Sequence, residues 1–95
     1  MNFNDECSRI LRHYGKEKQE IQAVQELSEL ILLLAARPDQ RKEDYKKRVT
    51  EEIADCMIMI EQIRIANGIT DSAVKRVIEQ KITRQFNRIA KEAKE

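Results

Sequence analysis

The chain has 95 residues, 37% of them charged, with 18 basic side chains against 17 acidic ones and a formal net charge of +1. That balance excludes the general basic footprint of a protein that binds a nucleic-acid polymer. Aromatic residues are confined to Phe3, Tyr14, Tyr45 and Phe86, with no Trp, so a single domain over residues 1–95 can bury only a modest core and is expected to assemble into oligomers.

Four helices are predicted, and the fold class is all-α. The first covers Asn4 to His13, where Phe3, Cys7, Ile10 and Leu11 recur at helical spacing. Asn4 or Asn2 can cap it, and Gly15 ends it. The second covers Lys16 to Ala36. Ala23, Leu27, Leu30 and Leu34 form its inward stripe, widened by Ile21, Val24, Ile31 and Leu32. Pro38 stops it, because the residue before proline is pushed out of the helical region.

The third helix covers Gln40 to Ala66, with Asp39 as its expected cap. Its opening, Arg41 to Lys47, is dense enough in charge to be a loop instead. Val49, Ile53, Cys56, Ile60 and Ile63 form its stripe, and Asn67-Gly68 ends it. The fourth starts at Thr70 or Asp71, both good caps. Val74, Ile78, Ile82, Phe86 and Ile89 are expected to face inward, and the polar tail Lys91–Glu95 is expected to fray. Short connections favour antiparallel neighbours in a bundle.

Cys7 and Cys56 make neither a disulfide framework nor a C-x-x-C site, so a reducing compartment is expected. The longest apolar run, Leu30–Ala36, falls far short of the roughly 20 residues of a spanning helix. Met1–Asp5 is polar and unlike a secretory signal. A soluble, cytoplasmic protein with no membrane partner is the expectation.

Two helical segments, Gln19–Ala36 and Arg48–Ile65, each carry carboxylates three residues apart inside apolar sequence: Glu26 and Glu29, then Glu52 and Asp55. Residues three apart share a helix face, so each pair forms a small acidic cleft. Like charges beside apolar surface repel and are poorly solvated. Gln19, Gln22, Glu26, Glu29 and Leu33 fall in one narrow stripe; Tyr45, Arg48, Glu52, Asp55, Met59 and Gln62 fall in another. Both stripes border the apolar seams. Antiparallel packing through those seams would let the four carboxylates converge.

Four oxygen ligands without His or Cys suit Mg²⁺ or Mn²⁺ rather than zinc. A di-iron bundle would want Glu-x-x-His, and the single histidine, His13, lies far from both motifs. Simple solvated carboxylates remain an alternative, since Glu17/Glu20 and Glu92/Glu95 show the same spacing. Lys81, Arg84 and Arg88 lie on one stripe of the fourth helix, with Arg48 a further cation, and such groups can neutralise a phosphate chain.

Glu26-Leu27-Ser28-Glu29 followed by Glu52-Ile53-Ala54-Asp55 resembles the E-x-x-E and E-x-x-D pattern of the MazG-like all-α nucleoside triphosphate pyrophosphohydrolases. Tyr14-Gly15-Lys16-Glu17-Lys18-Gln19, Asn67-Gly68-Ile69, and Lys81, Arg84, Asn87 and Arg88 resemble the flanking segments, so the likeness runs from about Tyr14 to Arg88. Gln25 departs from it, standing where many members have a second acidic residue.

The resemblance implies a MazG-like antiparallel helical bundle, completed by formation of a homodimer or homotetramer. It implies hydrolysis of a nucleoside triphosphate, with a deoxynucleotide expected, to the monophosphate and pyrophosphate. Glu26, Glu29, Glu52 and Asp55 would be the catalytic and metal-binding residues, holding Mg²⁺ or Mn²⁺. Gln19, Lys81, Arg84 and Arg88 would contact substrate, and the base would lie in an apolar slot against Tyr14, Phe3 or a partner subunit. A non-catalytic nucleotide-binding module and a purely structural oligomer are the alternatives.

Overall fold

The computed structural model describes residues 2–94. Among these are four α-helices and no strand: α1 (Phe3–Tyr14), α2 (Lys16–Ala36), α3 (Glu43–Ala66) and α4 (Asp71–Lys94). No described helix is long and apolar enough to cross a membrane.

Local chemistry sets the boundaries. Asn2 caps α1, its side-chain oxygen accepting from the Asp5 N–H at 2.8 Å. Gly15 breaks α1 from α2 at φ 90°, a conformation costly for any residue with a Cβ. Arg37 closes α2 in the left-handed region (φ 49°, ψ 52°) immediately before Pro38.

Helix α3 starts later than the sequence suggests, at Glu43, with Lys42 in the cap position. The expected cap, Asp39, is engaged elsewhere. Its carboxylate accepts the Arg41 N–H and guanidinium in a tight local turn. The charged stretch after Lys42 is therefore helical, while residues 37–42 form the connection.

Thr70 opens α4, its Oγ1 accepting from the Ala73 N–H at 3.1 Å. The helix then continues through the tail expected to fray, up to Lys94; Glu95 lies outside the described residues. The α3–α4 elbow is braced by Arg64. Its Nε donates to Glu61 Oε1 at 2.8 Å and its Nη1 to the Ile69 carbonyl at 2.7 Å.

Helices α2 and α3 pack antiparallel. Rising positions on α2 meet falling ones on α3: Lys16 with Asn67, Gln19 with Gln62, and Glu26 with Cys56. Helix α1 lies across both, with Cys7 buried.

The interface corrects the expected seams. Its buried residues are Gln19, Ala23 and Leu33 on α2, and Cys56, Met59 and Gln62 on α3. Those belong largely to the two acid-bearing stripes, which therefore form the α2–α3 interface instead of bordering it. Much of the expected apolar stripe is outside, including Ile31, Leu34, Ile53 and Ile60.

Helix α4 corrects a second expectation. It has no buried residue, and its apolar stripe is open to solvent, with Phe86 65% exposed. The radius of gyration is 16.9 Å, against about 12 Å for a compact domain of this length.

Candidate functional site

The antiparallel register converts two one-helix motifs into one cluster. Single ligand atoms from Glu26, Glu52 and Asp55 lie within 4.8 Å of one another. Glu29 stands beside them, close enough to raise the Glu52 pKa by its charge and by a hydrogen bond in the protonated form. All four carboxylates that the sequence singles out are thus brought together, three as a tight group and Glu29 at its edge.

Their surroundings differ in a useful way. Gln22 Nε2 donates to Glu26 Oε1 at 2.9 Å, which orients that side chain. The other oxygen, Glu26 Oε2, is shielded from solvent and has no hydrogen-bond partner; Glu52 Oε2 is in the same state. Buried acceptors are normally satisfied, and leaving one bare costs free energy. Burial pushes the Glu52 carboxyl above its ordinary pKa, and the charges of Glu29, Asp55 and Glu26 push the same way.

Cys56 sits directly beneath the cluster. Burial holds its thiol protonated, reinforced by the four carboxylates, and the S–H donates to the Glu26 carbonyl at 3.6 Å. The donor set facing the cluster is therefore oxygen only. A hard divalent cation fits it by chemistry and by the two bare carboxylate oxygens.

Two clefts flank the cluster. One, of about 400 Å³, is bordered by Glu29 and Glu52 and runs over Leu32, Leu33 and Ala36. The other, of about 120 Å³, is bordered by Glu26 and Asp55 with Gln22, Ile58 and Met59.

The remaining residues expected at the site are placed elsewhere. Gln19 is a correction: it is buried in the α2–α3 interface, and its amide donates to Gln62 Oε1 at 2.8 Å. An amide so engaged ties the two helices together. Lys81, Arg84 and Arg88 lie on exposed α4, with Lys81 and Arg84 lining a separate hollow with Val77 and Gln80. Within one chain they are not brought to the acidic cluster.

The apolar slot expected against Tyr14 also lies apart. A cleft of about 430 Å³ does run from Tyr14 to Ile21, but it shares no residue with the cluster. Leu32, Leu33 and Ala36, in contrast, went unmarked in the sequence as site residues. The signal was there: they stand three, four and seven positions after Glu29, the spacing of one helix face.

No protein family, no curated protein and no solved structure matches the chain.

Proposed function

We propose that the protein is a Mg²⁺-dependent nucleoside triphosphate pyrophosphohydrolase of the MazG-like kind, acting as a homo-oligomer. The observation that supports this most strongly is the pair of buried, unpartnered oxygens, Glu26 Oε2 and Glu52 Oε2, inside a cluster of four carboxylates. Acidic groups on a solvated surface would not be held in that state.

Glu26, Glu52 and Asp55 would hold the cation, with Mn²⁺ as a substitute. Bound there, it would neutralise the phosphates and polarise the α-phosphate. Glu29 stands outside the tight group and at the mouth of the larger cleft. It would be the carboxylate that accepts the proton of the attacking water. The water oxygen forms a bond to the α-phosphorus. The bond from that phosphorus to the α,β-bridging oxygen breaks, and pyrophosphate leaves with the electron pair. A deoxynucleoside triphosphate is the favoured substrate class, by resemblance.

Assembly has its own support. The chain exposes 7775 Å², whereas a folded monomer of this mass exposes about 5,700 Å². The surplus exceeds the roughly 800 Å² that each partner contributes to a standard interface. Ile31, Ile53, Ile60 and the α4 stripe supply apolar surface for it. A second copy is also the route by which Lys81, Arg84 and Arg88 would reach a site they do not meet in one chain.

Two variants test the assignment. Glu29→Gln and Asp55→Asn should each lower turnover by about a hundredfold or more, with helicity unchanged by circular dichroism. Full activity in both would remove the roles given to these side chains.

A further inference from the structure

We infer that the larger cleft beside Glu29 and Glu52 is the nucleoside end of the site, with Arg48 covering the base. The inference rests on the pyrophosphohydrolase reading and adds a direction to it. The reacting phosphate belongs at the carboxylates, so the nucleoside must extend to one side of them and the outgoing phosphates to the other. The two flanking clefts are unequal, at about 400 Å³ and about 120 Å³. Only the first falls within the roughly 300–1,000 Å³ of small-molecule sites.

The larger cleft also has the right surface. Leu32, Leu33 and Ala36 give it an apolar shelf, and Leu32 is 67% exposed there. Such a shelf suits the flat face of a base and gives nothing to a polyphosphate. The smaller cleft, lined by Glu26, Asp55 and Gln22 beside Ile58 and Met59, offers no comparable platform.

Arg48 is the cation of the larger cleft, and none lines the smaller one. It stands near Glu29, Glu51 and Glu52, yet forms no ion pair among the described residues. Its place on α3, one turn before Glu52, is the less favourable order for a basic–acidic pair on a helix. The guanidinium is therefore free for a ligand. A planar guanidinium can stack on a ring or donate to ring nitrogens and carbonyls.

The competing cleft at Tyr14 offers an aromatic ring but lies too far away. Its nearest lining residue on α2, Ile21, is eight positions from Glu29, about 12 Å along the axis and turned about 80° around the helix.

The test compares a base-bearing and a base-free ligand, both with Mg²⁺. An α,β-methylene deoxynucleoside triphosphate and inorganic tripolyphosphate are titrated into wild type, Arg48→Ala and Ala36→Phe. Ala36 is exposed, so the larger ring fills the cleft without entering the core. Both variants should weaken nucleotide binding by about tenfold or more, with tripolyphosphate binding unchanged. Wild-type nucleotide affinity in either variant, or an equal loss for tripolyphosphate, overturns the inference.

The two readings fail separately. Nucleotide bound through this cleft without any pyrophosphate release from a cleavable substrate would keep the subsite and remove the hydrolase. Pyrophosphate release with KM unchanged in both variants would keep the hydrolase and remove the subsite.

Discussion

Gln19 and Gln62 share a 2.8 Å hydrogen bond buried near the Lys16 end of the α2–α3 interface, with Gln62 only 1% exposed. The pair lies seven residues from Glu26 along α2 and seven from Asp55 along α3, about 10 Å on each helix. An amide pair in an apolar interface accepts only one register, because sliding leaves both groups unpaired. That register is the one that sets Glu26 and Glu29 against Asp55 and Glu52.

Gln19→Leu should therefore destabilise the protein by about 1–3 kcal/mol, because Gln62 Oε1 is left buried without a donor. Gln19→Leu combined with Gln62→Leu should recover most of that loss, since neither group then remains unpaired. Urea unfolding of the single and double variants gives both values. A double variant as unstable as the single one would mean that the pair is not the interface lock.

The metal-free protein should lose stability as pH rises through the window between the ordinary carboxylate pKa and the raised pKa of Glu52. The folded state holds that proton more tightly than the unfolded state. The penalty is absent below the window, grows through it and is complete above it. Asp39, whose pKa is lowered by Arg41, acts in the opposite sense at lower pH. Comparing Tm against pH for wild type and Glu52→Gln isolates the Glu52 contribution. The variant should lack the decline.

A cation relieves the same strain. Mg²⁺ or Mn²⁺ at about a hundred times its Kd should stabilise the wild type by about 2.7 kcal/mol. Glu52→Gln should be more stable than wild type without metal and gain little when metal is added. A wild-type Tm indifferent to both cations would count against the cluster as a cation site.

Ile60→Asp, and separately Phe86→Asp, should shift the protein toward smaller species in sedimentation, because each sets a charge on exposed apolar surface assigned to assembly. Neither should unfold the α2–α3 pair, as neither side chain is buried in it. Unchanged mass in both variants would place the interface elsewhere.

The sequence made the helices legible where single residues punctuate them: Gly15, Pro38, Asn67-Gly68 and Thr70 all mark real ends. It failed at Asp39, whose carboxylate had a nearer partner in Arg41 than the helix it was expected to cap. That Glu26 with Glu29, and Glu52 with Asp55, each share a helix face was legible too, since spacing of three on a helix fixes a face; their meeting across the helices was expected through seams that lie largely outside the interface.

Which face meets which neighbour was not legible. Periodicity marks Leu34, Ile53 and Ile60 as apolar, and the nearest helix was assumed to cover them. The chain instead turns Gln19, Gln62 and Met59 inward and leaves those residues outside. A polar pair can be buried because its two members satisfy each other, a relation between distant positions that no local window contains. For α4, the stripe from Val74 to Ile89 is as regular as expected, but none of its residues is buried against the other described helices.

The most direct measurement is pyrophosphate release from a panel of ribo- and deoxynucleoside triphosphates, with Mg²⁺ and with the metal chelated. The expected result is one pyrophosphate for each monophosphate formed from at least one nucleotide, abolished by chelation. No pyrophosphate from any nucleotide, with Mg²⁺ or Mn²⁺ in excess and the oligomer intact, would contradict the assignment of the carboxylate cluster.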